Sequence, residues 1–182
     1  MGELFFNCRL LEVIDLTAFK NTSNLLDMSN MFSHCKSLRE IDLSSLDMTS
    51  VENIESMFEQ CSSLTYVNFG DKTKNNIKYM NSLFRGCYSL TSVDLKSFNT
   101  SNITDMSNIF YNCSSITYLN LDNFDTSKVI YMDYMFYRCS SLVELRISNF
   151  SNISLFSCQN MFPNISTTAI ISNADFFEFC KN

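Results

Sequence analysis

The chain has 182 residues, of which 46% are hydrophobic and only 18% are charged, and its formal net charge is −6. This composition is too apolar for a disordered chain. The negative charge argues against nucleic acid or an anionic membrane as a partner, because both favour Lys and Arg. No apolar run reaches the roughly 18 to 20 residues that cross a bilayer, and the N-terminus lacks the pattern of a signal peptide. We therefore expect a folded domain without direct membrane insertion.

One motif, Phe-x-x-Cys, recurs along almost the whole chain. Its successive cysteines lie 27, 26, 26, 26 and 26 residues apart, and a seventh copy carries Ile165 in the cysteine position. A fixed period of this length indicates a solenoid, in which each repeat, or rung, packs on its neighbours. The six cysteines are Cys8, Cys35, Cys61, Cys87, Cys113 and Cys139.

The first part of each rung has the periodicity of a helix. In the clearest copy, apolar residues between Ile103 and Cys113 fall at i, i+3, i+6, i+7 and i+10, which places them on one helical face. The preceding segment, Asn99 to Asn102, offers side-chain oxygens that can cap a helix start. The pattern predicts a helix of two or three turns in each rung.

After each cysteine the period changes to L-x-x-L-x-L, the strand signature of leucine-rich repeats. Because strands pair about 4.8 Å apart and packed helices need roughly 8 to 10 Å, we expect a curved stack with its strands on the concave face. In the third rung Gly70 to Asn76 departs from the pattern and predicts a local loop. The six strand motifs start at Leu11, Leu38, Leu64, Leu90, Ile116 and Leu142.

These patterns predict an α/β solenoid over residues 1–165, built from six to seven leucine-rich-repeat rungs of about 26 residues. Parallel strands would form its concave face and short helices its convex face. The register breaks after Phe162, and residues 166–182 predict a capping strand and helix. Met1 aligns with Met28 and Met80 in the rung, so the chain starts in mid-rung. We expect a fragment, or an internal start, rather than a complete protein.

Eight cysteines raise the question of a metal site or disulfides. One cysteine per rung cannot converge on a single ion, and equivalent side chains that point the same way cannot face each other as a disulfide requires. We predict that the six cysteines of the repeat form a structural ladder of buried free thiols. Cys158 and Cys180 lie outside this register, and the sequence leaves open whether they pair.

The candidate binding residues flank the second leucine position of each strand and should point away from the core. Asp and Asn in this set could accept hydrogen bonds from a partner or coordinate Ca²⁺, although we assign no metal site. Tyr66 and Tyr118 have the amphipathic character that is common at interfaces. The alternative is a solvated face whose amide side chains hydrogen-bond along the stack. The predicted set is Asp15, Glu40, Asp42, Tyr66, Asn68, Asp94, Tyr118, Asn120, Glu144 and Arg146.

Catalysis finds no support in the sequence. The only histidine, His34, adjoins Cys35, which the repeat predicts to be buried. A nucleophilic cysteine needs both activation and exposure. We therefore expect neither enzymatic activity nor a cofactor.

The rung from Asp105 to Ile116, followed by Asn123 to Val129, resembles the BspA-like leucine-rich-repeat surface proteins, and the resemblance extends from Met1 to about Phe162. It implies a cell-surface or extracellular protein that takes part in adhesion through a protein or glycan ligand. It implies no catalysis and no cofactor. The alternatives are a structural stalk and a cytoplasmic protein-interaction module.

Overall fold

The computed structural model of the protein describes residues 1–19, 21–70, 75–165 and 169–181, and it shows a stack of rungs joined by short parallel strands. The strand register links residues 26 positions apart, as in Ile41 opposite Val67 and Leu119 opposite Leu145. The predicted repeat solenoid is therefore confirmed. Its elements are a 3-10 turn (Thr22–Asn24), β1 (Glu40–Asp42), β2 (Tyr66–Asn68), β3 (Tyr118–Asn120), β4 (Glu144–Arg146), β5 (Ile170–Ile171) and α1 (Ala174–Cys180).

The prediction of a helix in each rung, made from residues 103–113, is wrong, because these segments form successive β-turns. In the second rung the amides of Met31 and Cys35 donate to carbonyls three residues earlier, over 3.3 and 3.0 Å. Asn30 and His34 precede these donors with φ of 54° and 63°. A positive φ at the third position of a turn defines the type II geometry, which a helix does not contain.

The same left-handed backbone recurs at two positions, four residues apart, in every rung. Non-glycine residues pay a steric cost there, and Asn and Gly are the residues that adopt it most readily. Asn or Gly occupies half of these positions, as their tolerance of a positive φ predicts. The pairs are Glu3 and Asn7, Asn30 and His34, Ser56 and Gln60, Ser82 and Gly86, Asn108 and Asn112, Tyr134 and Arg138, and Asn160 and Asn164.

Alternate backbone amides of the turns bond to the next rung. The amide of Asn30 donates to the carbonyl of Glu55, and that of Phe32 donates to Met57, both over 2.9 Å. The turn side of the stack therefore carries a backbone ladder, as the strand side does. We expected the stack to curve because packed helices need more space than paired strands. Since the rungs contain turns in place of helices, this reason for curvature no longer applies. We refer below to the strand face, formed by the outward residues of the strand motifs, and the turn face, formed by the outward residues of the turns.

Identical side chains stack in register inside the core. The rings of Phe32, Phe58, Phe84, Phe110 and Phe136 lie 5.7 to 5.8 Å apart, with at most 14° between neighbouring planes. All five are fully buried. Aromatic pairs contribute roughly 0.5 to 1.5 kcal/mol beyond the burial of their area, so this column stabilises each rung against the next.

The cysteine ladder beside these rings is confirmed for five of its six members. Each buried thiol donates to a phenylalanine carbonyl of the preceding rung, as Cys61 does to Phe32 over 3.0 Å. Burial raises the pKa of Cys35 to about 11 and that of Cys139 to about 12. The prediction is wrong for Cys8, which is exposed because no rung of this structure packs on the outer side of the first one. The buried free thiols are Cys35, Cys61, Cys87, Cys113 and Cys139.

The end of the described chain packs α1 against the last rungs. A disulfide joins Cys158 to Cys180 and so settles the pairing that the sequence left open. Phe176 places its ring edge against Phe150, with the centroids 5.5 Å apart. Asn173 caps the helix by accepting the amide of Phe176 over 3.1 Å. Among the described residues, no helix is long and apolar enough to span a bilayer.

Strands form in four of the six predicted rungs, so the expectation of one six-stranded surface is wrong. Residues 13–15 and 92–94 are not strands, and the sheet is split into β1–β2 and β3–β4–β5. In the fourth rung Val93 is only half-buried, whereas its neighbour Val67 is 1% exposed. Phe69 follows β2 in the position that Leu43 occupies in the second rung. Its ring packs edge-to-face with Phe98, with the centroids 4.9 Å apart. The larger side chain of Phe69 therefore lies next to the position where the two sheets are separated. The predicted loop at 70–76 lies largely outside the described residues.

The turn assignment predicts the sign of a stability change at Asn108, whose φ is 60°. Asn108→Ala should lower the free energy of unfolding by about 1 kcal/mol, because alanine tolerates the left-handed region less well. In a helix the same change would raise it by roughly 0.5 kcal/mol. Urea denaturation measures the difference, with Ser107→Ala as the neighbouring control. A more stable Asn108→Ala variant would contradict the turn geometry.

Thiol reactivity tests the cysteine ladder. A small alkylating reagent at neutral pH should label Cys8 rapidly and the five buried thiols only after unfolding, because the thiolate is the reactive form. The unfolded thiol has a pKa of roughly 8.5, and burial raises that of Cys35 to about 11. The free energy of unfolding should therefore fall as the pH rises above the unfolded pKa toward that of the folded thiol. Mass spectrometry of pulse-labelled protein gives the order of labelling, and early labelling of Cys87 would contradict its burial.

Candidate functional site

The structure places the predicted binding residues of the strands on one outward face. Register pairs Glu40 with Tyr66 and Tyr118 with Glu144 in one column. In the other column Asp42 lies opposite Asn68, and Asn120 lies opposite Arg146. The middle residue of each of these four strands is buried, so the alternation predicted from the sequence is present. Asp15 and Asp94 are exposed in the two rungs that lack a strand.

The Asp and Asn column has a structural role. The Oδ1 atom of Asp42 accepts the amide of Ser44 over 2.8 Å, and that of Asn68 accepts the amide of Gly70 over 2.9 Å. This two-residue reach is an Asx-turn, for which Asp and Asn are the suitable side chains. The same contact is made by Asp15 to Thr17, Asp94 to Lys96 and Asn120 to Asp122.

One amide of this column also hydrogen-bonds along the stack. Asn68 donates through Nδ2 to Oδ1 of Asp42 over 3.1 Å, as the alternative of a solvated face predicts. Hydrogen bonds from Ser44, and then from Asn68, hold the pKa of the Asp42 carboxyl below its usual value. Among the described residues, no three acidic, His or Cys side chains are grouped to hold a metal ion. The hydrogen bonds of the Asp and Asn column therefore stabilise the turns that follow the strands.

Two tyrosines remain available for contact with a partner. Tyr66 and Tyr118 are 48% and 42% exposed, and they stand on either side of the rung in which the sheet is interrupted. Glu144 and Arg146, by contrast, form an ion pair with each other at 2.8 Å. Glu40 is also exposed, so the predicted set divides into seven side chains with intramolecular contacts, two exposed aromatic rings and one exposed carboxylate.

A depression of about 330 Å³ opens where the sheet is interrupted. The amide of Thr91 reaches the carbonyl of Thr65 at 3.5 Å, a weak bond, and β2 and the fourth rung are not otherwise paired as strands. The depression therefore combines one exposed aromatic ring with polar side chains and backbone groups outside a strand ladder. Its lining residues are Tyr66, Val67, Asn68, Phe69, Gly70, Asp94, Lys96 and Ser97.

Sequence reasoning did not identify Gly70, Lys96 and Ser97 as part of this site. Lys96 lies 3.8 Å from Asp94 as an exposed ion pair, and Gly70 forms the turn after β2 with a φ of 72°. One sequence signal was available, because the third rung departs from the leucine pattern next to the position where the strand pairing stops.

The in-register parallel rungs define a repeat solenoid with the leucine motif in each strand position. The sequence matches the family described as "Mycoplasma protein of unknown function, DUF285" over residues 1–74 and over residues 67–174. The chain therefore belongs to this family. A search of curated proteins finds no matching relative.

Solved structures similar to this chain are leucine-rich-repeat proteins. The T. pallidum leucine-rich-repeat protein has 21% identity and a TM-score of 0.49 over 67% of this chain and 52% of its own length. A protein from Eubacterium ventriosum has 16% identity and a TM-score of 0.43 over 62% of this chain and 27% of its own. One from Bacteroides ovatus has 21% identity and a TM-score of 0.36 over 95% and 54%. The chain spans about half the length of the first and third of these proteins.

The Asx-turns predict different effects for two substitutions at Asp42. Asp42→Ala should lower the free energy of unfolding by roughly 0.5 to 1 kcal/mol, because it removes an exposed hydrogen bond to the amide of Ser44. Asp42→Asn keeps the acceptor, as in the third rung, and should leave the stability at neutral pH nearly unchanged. Because the folded pKa of Asp42 is lowered, its stabilising effect should be lost as the pH falls below the unfolded value of about 3.9. Urea denaturation of the three proteins measures this, and equal destabilisation by both substitutions would contradict the role of Oδ1.

Proposed function

We propose that the chain is a non-enzymatic binding scaffold of the cell-surface adhesin type, which recognises a protein or glycan through its strand face. The observation that carries the proposal is the break between β2 and β3. It creates a depression of about 330 Å³ with an exposed tyrosine, Tyr66, in its wall and a second, Tyr118, beyond it. The flanking rungs are fixed by backbone ladders and a stacked core, so the surface is preorganised.

The chemistry of this surface suits recognition. Pockets for small ligands or sugar units begin at roughly 300 Å³, which the depression reaches. Tyrosine combines an apolar ring with a hydrogen-bonding hydroxyl and is enriched among the residues that dominate binding energy. Tyr66 and Tyr118 belong to rungs two steps apart, which corresponds to about 10 Å at the spacing of paired strands. A ligand spanning this distance would contact both rings and the depression between them.

The environment of the single histidine supports a non-enzymatic role. His34 is half-buried and has a φ of 63° in its turn. The neighbouring thiol of Cys35 is buried and its pKa is raised to about 11. At neutral pH this thiol is protonated, whereas nucleophilic catalysis requires the thiolate.

A disulfide favours the cell surface or extracellular space over the cytoplasm as the location. Cys158 and Cys180 are bonded, and disulfides persist mainly in oxidising compartments. This observation favours the adhesin over a cytoplasmic interaction module. A structural stalk is the second candidate, and it would leave the strand face without a ligand.

The two tyrosines provide the test of binding. Tyr66→Ala combined with Tyr118→Ala should weaken binding of the fluorescent chain to cultured epithelial cells at least about tenfold, because each ring is expected to bury its area against the partner. Flow cytometry measures the binding. The control is Tyr79→Ala combined with Tyr88→Ala, which removes two rings that are 54% and 39% exposed elsewhere on the molecule. Equal binding by both double variants would rule out the strand face, and no binding by the unaltered chain would favour the stalk.

Protease treatment of intact source cells tests the location. Mass spectrometry should detect released peptides, such as the segment from Ile130 to Arg138, while a cytoplasmic marker enzyme stays inside the cells. Peptides that are released only after lysis would reject the surface location.

A further inference from the structure

Five side chains of three successive rungs form a compact cluster on the turn face, away from the strand motifs. Tyr111 and Tyr137 occupy the same rung position, and their rings stack with centroids 4.9 Å apart and 11° between planes. Tyr134 closes the group, with its ring 5.6 Å from Tyr137 and 6.3 Å from Tyr111. The two remaining members are Arg85 and Arg138, and we refer to the five residues as the arginine–tyrosine cluster.

Each arginine covers one end of the stacked tyrosine pair. The guanidinium carbon of Arg85 lies 5.0 Å from the centroid of Tyr111, and that of Arg138 lies 5.4 Å from that of Tyr137. These are cation–π distances. Two positive groups are therefore separated by a stack of two aromatic rings, with three successive contacts of about 5 Å each.

The polar groups of the cluster are incompletely used within the protein. Arg85 forms a partly exposed ion pair with Glu59 through Nη1 at 3.4 Å, while its Nε is buried and has no hydrogen-bond partner. Arg138 forms no ion pair with any residue that the structure describes. The carboxylate of Asp133, which precedes Tyr134 in the sequence, accepts the amide of Gln159 over 2.6 Å.

Two residues of the cluster occupy the left-handed positions of their rung. Tyr134 and Arg138 both have a φ of 58°, in the positions where the fifth rung has Asn108 and Asn112. A bulky side chain is uncommon in the left-handed region and raises the energy of the fold. Both residues belong to the cluster, but Ser56 and Gln60 occupy the same positions in the third rung, so the backbone alone does not single the cluster out.

We propose that the arginine–tyrosine cluster binds an acidic glycan, a chain of sugar rings that bears carboxylate or sulfate groups. Guanidinium groups bind such oxygens through charge-assisted hydrogen bonds. Two guanidinium groups held apart by the tyrosine stack match charges repeated along a polymer better than one small anion. Tyrosine hydroxyls and the side-chain carboxamides of Asn108 and Asn112, which belong to the same turns, suit the hydroxyl groups of the sugars. This site is separate from the strand face and goes beyond the function proposed above.

Binding is tested with the whole chain and three oligosaccharides of equal length. Heparin-derived fragments carry sulfate and carboxylate, hyaluronan fragments carry carboxylate alone, and dextran fragments are neutral. Titration calorimetry should show saturable binding of at least one acidic probe, weakened by added salt, and none of dextran. The two acidic probes distinguish sulfate from carboxylate recognition. Absence of binding to both, or equal binding of dextran, would overturn the proposal.

A matched pair of double variants separates the cluster from general charge. Arg85→Gln with Arg138→Gln should weaken acidic-glycan binding at least about tenfold, the effect expected from losing charged hydrogen bonds. Arg9→Gln with Arg39→Gln removes the same charge from two exposed arginines and should leave the affinity within about twofold. Equal weakening by both pairs would show nonspecific attraction and reject the site.

Arg138→Asn distinguishes binding from a structural role. Asparagine relieves the left-handed strain, so the Tm should stay equal or rise while glycan affinity falls. A lower Tm with unchanged affinity would mean that Arg138 only stabilises the fold, and would contradict the proposal. Competition with a polyglutamate peptide completes the test, because tighter binding of the peptide than of either acidic glycan would identify a protein partner instead.

Discussion

Alternate backbone amides of the turns divide their hydrogen bonds between their own rung and the next, and the stack depends on this division. The amide of Asn30 donates to Glu55 of the next rung, while that of Met31 donates back to Met28. Because neighbouring rungs are then held in backbone register, side chains in equivalent positions lie directly on one another. A core position must therefore accept the same side chain in adjacent rungs, which is why Phe and Cys repeat with so little variation. Outward positions are free of this demand and can differ from rung to rung.

The helix prediction failed for a geometric reason. Turns that repeat every four residues bury positions 0, 3, 4 and 7, as with Met106, Ile109, Phe110 and Cys113, and an amphipathic helix buries the same positions. Apolar spacing alone cannot separate the two. The distinguishing signal was present at Asn108 and similar positions, because Asn is among the few residues that favour a positive φ. The buried core and four of the six parallel strands were predictable, because the leucine spacing of the strand motif does not also fit a helix.

The candidate sites were only partly predictable, since they depend on relations between rungs. The outward direction of Tyr66 follows from strand alternation alone. The depression beside it arises because β2 and the fourth rung do not pair. The sequence around Lys96 gives no signal of this lost pairing. The disulfide joins Cys158, which stands in the methionine position of its rung, to Cys180 of α1, so only the packing of α1 brings them together. The arginine–tyrosine cluster likewise requires the register of three rungs before Arg85 and Tyr137 can be placed in one group.

The hydrogen bonds of the turns also give the stack a direction. Turn amides donate toward the following rung, as those of Glu3, Phe5 and Asn7 do to Ser29, Met31 and Ser33. The aligned peptide dipoles reinforce one another along the axis, as they do in a helix. A rung stacked in the reverse direction would oppose acceptor to acceptor, so every rung must face the same way.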